Sequence, residues 1–169
     1  LDGHPGTSTC CRGKRGDPQA EALGRSQGGF STKVHIRAEG GGKLMTLALT
    51  PGQRHEIRAF EELMLQGAVK RAGPGRPRLY PGRIVGDKGY SFAAVRHFLR
   101  RHHVRITIPH RRDQHRGAFD RNIYRQRNIV ERLFSRLKHY RRLATRYEKR
   151  AENYRAMWLI AATLEWLKI

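Results

Sequence analysis

The sequence is poor in cysteine, in acidic residues and in long apolar runs, and each shortage removes a class of protein. Its 169 residues include only two cysteines, the adjacent Cys10 and Cys11. Neighbouring cysteines cannot cross-link distant segments, and without a second pair they cannot complete a zinc tetrahedron. No stretch reaches the roughly 18 uninterrupted apolar residues of a membrane helix. The most apolar one, Met157 to Leu167, is shorter and contains Glu165, so no membrane contact is expected. The first residues carry His, Pro, Gly and Arg where an export signal would be apolar, which makes a cytoplasmic setting the expectation. The chain opens on Leu1 and not on Met, from which we expect an upstream portion to be missing.

Acid is scarce in absolute number: 14 Asp+Glu stand against 35 Lys+Arg, a formal net charge of +21. The hydrophobic share is 38%, which with glycine counted in reaches the low edge of globular usage, so a core is expected and a disordered basic tail is not. The length suits one domain, or one domain with appendages. Between Arg96 and Arg150 there are 18 Lys+Arg against four acidic residues, so most of the excess is regional. Most of it is arginine, whose planar fork suits phosphate oxygens and stays charged at any working pH. A polyanion is the expected partner, and nucleic acid before anionic lipid. The plain alternative is a solvated arginine-rich face.

Along the chain, residues 3 to 29 are rich in Gly, Pro, Ser and Thr without periodicity, and read as a long irregular loop after the end of a first strand at Leu1-Asp2. From Phe30 the residues alternate to Arg37. Gly40-Gly41-Gly42 then turns the chain and Leu44 to Thr50 returns, which predicts a β-hairpin. Glu56 to Val69 has helical spacing, Arg83-Ile84-Val85-Gly86 reads as a short buried strand ending at Asp87, and Ser91 is placed to cap a helix carrying Val95 and Leu99. Val104 to Pro109 is the next strand, a long helix is expected from Asn122 to Arg142, and an apolar helix from Glu152 to Leu167, with Glu165 on its exposed edge. This order predicts an α/β fold with a mixed sheet flanked by helices.

Most acidic residues have ordinary surface roles, but Asp87 follows a strand, where open α/β sheets place their sites. On the long helix, at about 100° per residue, Tyr124, Arg127, Glu131 and Lys138 fall on one stripe. Ile129, Val130, Leu133, Phe134 and Leu137 spread over the other side. One face therefore enters the core, and the other presents a carboxylate framed by a phenol and two cations. Read without further context, Arg127 and Glu131 are equally an exposed i,i+4 ion pair.

The spacing Tyr124-x2-Arg127-x3-Glu131-x6-Lys138 matches the signature of bacterial insertion-sequence transposases in the group containing insertion sequences four and five. The segments from Gly24 to His35, Leu49 to Gln53, Gly86 to Tyr90, Arg127 to Phe134 and Ala144 to Lys149 also look like that group's catalytic half. The resemblance implies an RNase H-like fold (retroviral integrase superfamily) over residues 30–169. It implies a DDE triad of Asp2, Asp87 and Glu131 that would hold Mg2+ or Mn2+, two ions in all. By it, Tyr124, Arg127 and Lys138, with Arg132, Arg141 and Arg142, bind double-stranded DNA at transposon ends and target. A homodimer in a synaptic complex and a nucleoid-associated place in the bacterial cytoplasm are implied as well. The chemistry suits the residues: two hard cations about 3.5–4 Å apart stabilise both the attacking and the leaving oxygen of a phosphodiester, and carboxylates supply their oxygen ligands.

The stretch His4 to Gly16 departs from the pattern, since the group carries a His-Gln-His-like run there. A local frameshift is one account, and sequencing of the gene tests it. Asp17 is the weaker alternative to Asp2. Three readings follow: a transposase catalytic domain, a truncated or frameshifted remnant that only binds DNA, and a basic nucleic-acid-binding protein without an active site. The isolated His35 and His55 are each expected to be a satisfied or solvent-facing histidine before a site residue.

Overall fold

The computed structural model describes residues 21–26, 29–55, 57–70, 73–112, 114, 117 and 119–168. Asp2, Asp17, the two cysteines and the departing stretch His4 to Gly16 lie outside them.

The expected hairpin is present, and the expectation of an irregular loop through residue 29 is corrected, because Gly24–Ser26 finds a strand partner in the start of the hairpin. Strand β1 (Gly24–Ser26) pairs with the start of β2 (Gly29–Ala38), and β2 continues antiparallel against β3 (Leu44–Pro51), with Val34 opposite Leu49 and His35 opposite Ala48. Gly42 closes the turn at φ +84°, a conformation that side chains with a Cβ resist. A Cβ there would also stand 2.7 Å from Ile129 Cγ2, so the turn and a distant helix approach as closely as glycine allows. Strand β3 is apolar at nearly every position because both of its faces are covered.

Helix α1 (Ile57–Leu65) packs on β3 from one side. Strand β4 (Arg83–Val85) follows, then helix α2 (Ala93–Arg101) and strand β5 (Arg105–Thr107), which pairs parallel to β4 with Ile84 opposite Ile106. The described strands thus form two sheets, one antiparallel and one parallel. Both strand senses of a mixed sheet are present, without a described strand joining them.

Two apolar clusters hold the layers. One sets Leu44 and Leu47 of β3 against Leu133, Leu137, Leu143 and Trp158, the last four each 1% exposed or less. The other sets Phe60 and Met64 of α1 against Val95, Leu99, Val104 and Ile108 around the parallel pair.

The long helix expected over Asn122 to Arg142 is segmented. Helix α3 (Arg121–Tyr124), capped by Asp120 Oδ1 on the Ile123 amide at 3.0 Å, passes into a 3-10 turn at Arg125–Arg127 and then into α4 (Asn128–Lys138). Tyr140 leaves the helical region at ψ 107°, and Arg141 and Arg142 belong to a separate short helix, α5 (Arg141–Ala144). The last helix, α6 (Ala151–Leu167), matches expectation, with Glu152 in its first turn.

Two further local expectations are corrected. Ser91 does not cap α2: Phe92 holds the cap position without a side-chain bond. Ser91 is instead fully buried, its hydroxyl donating to Gln114 Oε1 at 2.7 Å and accepting from Arg96 Nη2 at 3.0 Å. Glu165 is not on an exposed edge either. It is 7% exposed and accepts from Arg136 Nε at 2.8 Å and Lys168 Nζ at 2.6 Å. Spacing put it on the outside of α6, but α4 lays Arg136 against that side and turns the edge into an interface.

Candidate active site

Strand β4 delivers Asp87 to the carboxyl end of the parallel pair. Gly86 extends the ladder by one bond, its amide donating to Thr107 O at 3.2 Å. A Cβ at Gly86 would meet Ile108 Cγ1 at 3.2 Å, which is why glycine suits this exit. Asp87 then turns the chain. Its Oδ1 accepts from the Lys88 amide at 2.7 Å and caps the 3-10 turn Lys88–Tyr90, closed by Tyr90 N to Asp87 O at 3.0 Å. One carboxylate oxygen is committed to the turn; the other faces α4.

Across the cleft stands Arg127, in the 3-10 turn that precedes α4. Its Nη1 lies 2.9 Å from Glu131 Oε1 and its Nη2 lies 3.8 Å from Asp87 Oδ2. One guanidinium therefore joins the two acidic residues that the sequence singles out. The carboxylate side chains are 57% and 55% exposed. At such exposure the pairs add little stability, and solvent ions can compete for the same oxygens. Asp87, Arg127 and Glu131 line a cleft of about 870 Å³ between β2 and β4, with Ile36 and Ile84 among its apolar walls.

Glu131 also fronts a second groove, about 530 Å³, which it lines with Thr32, Val34, Phe134, Lys138 and Tyr154. Arg127, Glu131 and Lys138 thus follow one side of α4 from the first opening to the second. A 3-10 turn advances about 120° per residue where an α-helix advances about 100°, so the turn brings Tyr124 into line with Arg127, where the all-α reckoning leaves the two roughly 60° apart. Tyr124 is half-buried, with its ring 5.2 Å from that of Phe119.

The remaining expected site residues are spread out. Arg132 is exposed on α4 and Arg141 on α5, while Arg142 Nη1 lies 3.6 Å from Glu148 Oε1. Asp2 is outside the described residues, and among the described residues no group of three or more His, Cys, Asp or Glu converges. The donor chemistry of Asp87 and Glu131, two solvent-reachable carboxylates on separate elements, fits a hard divalent cation.

The sequence does not name the partners in three contacts. His35 is 3% exposed and tied to Tyr90, Arg136 bridges α4 to α6, and Arg146 spans three segments. Its guanidinium donates to Glu21 O at 2.8 Å, Thr32 Oγ1 at 2.6 Å and Glu148 O at 2.9 Å. Burial holds the Arg146 guanidinium below its usual pKa, with Glu21, Tyr154 and Glu148 opposing. The sequence signals for these are that His35, Tyr90 and Arg146 lie inside the matched motifs and that His35 is expected to be a satisfied histidine.

A family model described as the transposase DDE domain matches residues 8–166, a span that contains Asp87, Arg127, Glu131 and Lys138 and leaves Asp2 outside. The chain is 27% identical over 133 residues to a Burkholderia cepacia protein described as the proposed transposase for insertion sequence element IS402. The match covers 79% of this chain and 61% of that relative. The chain thus spans about 61% of the length of the curated relative it matches. No solved structure matches it.

Proposed function

The chain belongs to the family of transposase DDE domains, and from that premise we propose that it is the catalytic domain of an insertion-sequence transposase. The proposed fold is RNase H-like over residues 30–169, with the end of a first strand at Leu1-Asp2 and an irregular loop that gives way to β1 at Gly24. The observation that carries the reading is the shared guanidinium: Arg127 joins Asp87 at the end of β4 to Glu131 on α4, inside one cleft.

Each residue has a role in this reading. Asp87 and Glu131, with Asp2 as the third acidic residue, would hold two divalent cations, and Mg2+ or Mn2+ there would stabilise charge on the attacking and leaving phosphodiester oxygens. Arg127 offsets the repulsion between the two carboxylates and offers its guanidinium to a phosphate in the cleft. Lys138 extends the cationic track into the second groove, and Arg132, Arg141 and Arg142 add phosphate contacts that position DNA without reading its sequence. Tyr124, backed by Phe119, offers an aromatic face to a base at the element's end. Hydrolysis at that end frees a 3′ hydroxyl, which then attacks a second phosphodiester and displaces its 3′ oxygen. Two chains, one at each end, would form the synaptic complex. Among the described residues no helix is long and apolar enough to cross a membrane, and the proposed place of action is the bacterial cytoplasm, on the genome.

The test is nicking and strand transfer on DNA carrying the element's own ends, with and without Mg2+. We expect metal-dependent cleavage that Asp87→Asn and Glu131→Gln each abolish while metal-free DNA binding persists. Binding without cleavage at any Mg2+ or Mn2+ concentration would leave a DNA-binding remnant and overturn the catalytic reading.

A further inference from the structure

Asp87 is held in direction by its turn, and the turn is held by a buried histidine that the proposed chemistry does not use. His35 Nδ1 lies 2.7 Å from Tyr90 Oη, and His35 Nε2 lies 2.9 Å from Thr50 Oγ1. His35 is 3% exposed and Thr50 4%. Thr50 is two residues from Ala48, the cross-strand partner of His35, so the two side chains share one face of the hairpin as diagonal neighbours. The threonine hydroxyl sets the imidazole, and the imidazole reaches out of the hairpin to the phenol.

Tyr90 is the last residue of the turn that Asp87 opens, and its ring packs edge-on to His35 at 6.1 Å and against Phe60 at 6.2 Å. The next residue, Ser91, is fixed separately: Gln114 Nε2 donates to Ser91 O at 2.6 Å, and Arg96 reaches its hydroxyl. The turn therefore has two moorings. Ser91 ties its back to α2 and to Gln114 beyond β5, and Tyr90 ties its front to the hairpin. Only the second crosses from the parallel pair, which carries Asp87, to the antiparallel sheet.

The polar nature of this link matters. Apolar packing between two sheets tolerates sliding, whereas hydrogen bonds weaken steeply with angle. A buried imidazole with both ring nitrogens occupied also resists displacement, because breaking either bond leaves a buried polar atom unpaired. Three polar side chains in line thus set the spacing between hairpin and turn where a leucine contact would not.

We propose that His35, oriented by Thr50, is a positioning residue for Asp87: through the Tyr90 hydroxyl it fixes the turn, so that the outer carboxylate oxygen is presented toward Arg127 and Glu131. The consequence for metal binding rests on the transposase reading; the mechanical link does not. The test therefore has two arms, both on the full chain.

The first is amide hydrogen exchange in Tyr90→Phe, which keeps the ring and removes only the hydroxyl, and in His35→Gln. The amides of Tyr90 and Ser91 close the turn onto Asp87 and Lys88. We expect them to exchange about two- to tenfold faster in either variant, the range that loss of one hydrogen bond gives, while amides of β3 and α6 keep their rates. The double variant should be no faster than His35→Gln alone, because that change already removes the bond that Tyr90→Phe deletes. Unchanged turn exchange in Tyr90→Phe, or equal acceleration throughout the chain, overturns the proposal.

The second arm is the Mg2+ dependence of cleavage. In Tyr90→Phe the concentration for half-maximal cleavage should rise several-fold while metal-free DNA binding stays constant. An unchanged metal dependence in an active enzyme overturns the positioning role. If the wild-type chain does not cleave at all, the catalytic reading falls and the exchange arm alone decides the link.

Discussion

Asp87 and Glu131 come from different layers of the protein and meet through one side chain, the guanidinium of Arg127, 3.8 Å from the first and 2.9 Å from the second. Neither pair is buried enough to be a structural necessity. A cation between two exposed carboxylates in a cleft is an arrangement that incoming phosphate and metal can rearrange at small cost.

Arg127→Gln should therefore leave stability within about 0.5 kcal/mol of wild type and weaken DNA binding. If Arg127 contacts one phosphate, the slope of log affinity against log salt should fall by about one. Equilibrium binding across a salt series, beside a denaturant melt, measures both quantities. An unchanged slope would remove Arg127 from the DNA contact.

Leu133 lies on α4 two residues beyond Glu131 and is fully buried against the hairpin. Leu133→Ala should cost about 2–5 kcal/mol, far more than Arg132→Ala, the exposed neighbour, which should change stability by less than about 0.5 kcal/mol. Urea midpoints of the two variants distinguish a helix held by its inner face from one held by surface charge.

Gly42→Ala combines a left-handed φ of +84° with a Cβ 2.7 Å from Ile129. We expect a loss of about 1–3 kcal/mol. Adding Ile129→Val should recover part of it by removing a methyl group from the contact. Thermal melts of the single and double variants give the coupling, and strict additivity would show that only the backbone strain matters.

Glu165 supplies a pH signature. The hydrogen bond from Lys168, helped by that from Arg136 and opposed by burial, holds its carboxyl below the usual value. A carboxylate whose folded pKa is lowered contributes its stability in full above the unfolded value of about 4.3 and loses it as pH falls through the lower folded value. Glu165→Gln should cost about 1–2 kcal/mol at neutral pH, discounted because Arg136 and Lys168 are 45% and 65% exposed. The gap to wild type should close progressively below about pH 4. A gap that stays constant down to pH 3 would mean that the ion pairs are not its source.

The sequence by itself determined the local pieces. Alternation with a glycine turn specifies the hairpin, and a short apolar run ending in Gly86-Asp87 specifies a strand with an acidic residue at its exit. The spacing of Arg127, Glu131 and Lys138 puts three charges on one side of a helix whose other side is apolar. These follow from intervals of a few residues, which the chain carries whatever surrounds it. Where a short-range rule has a competitor, the reading goes astray: Ser91 could cap a helix, but Gln114 and Arg96 claim it. The single long helix also gives way at Arg125–Arg127, where a 3-10 turn interrupts the α-helical period.

Only the tertiary structure decided which of these pieces touch. No spacing foretells that Arg127 reaches Asp87, that Arg136 buries Glu165, or that His35 takes hold of Tyr90 across two sheets. Such contacts depend on the angle at which packed layers meet, and that angle is set by the volumes of Leu133, Leu137, Trp158 and their neighbours together. The scarcity of acid gains its meaning there. In a chain of +21, two carboxylates on separate elements are drawn to one guanidinium, and the fold leaves both open to solvent.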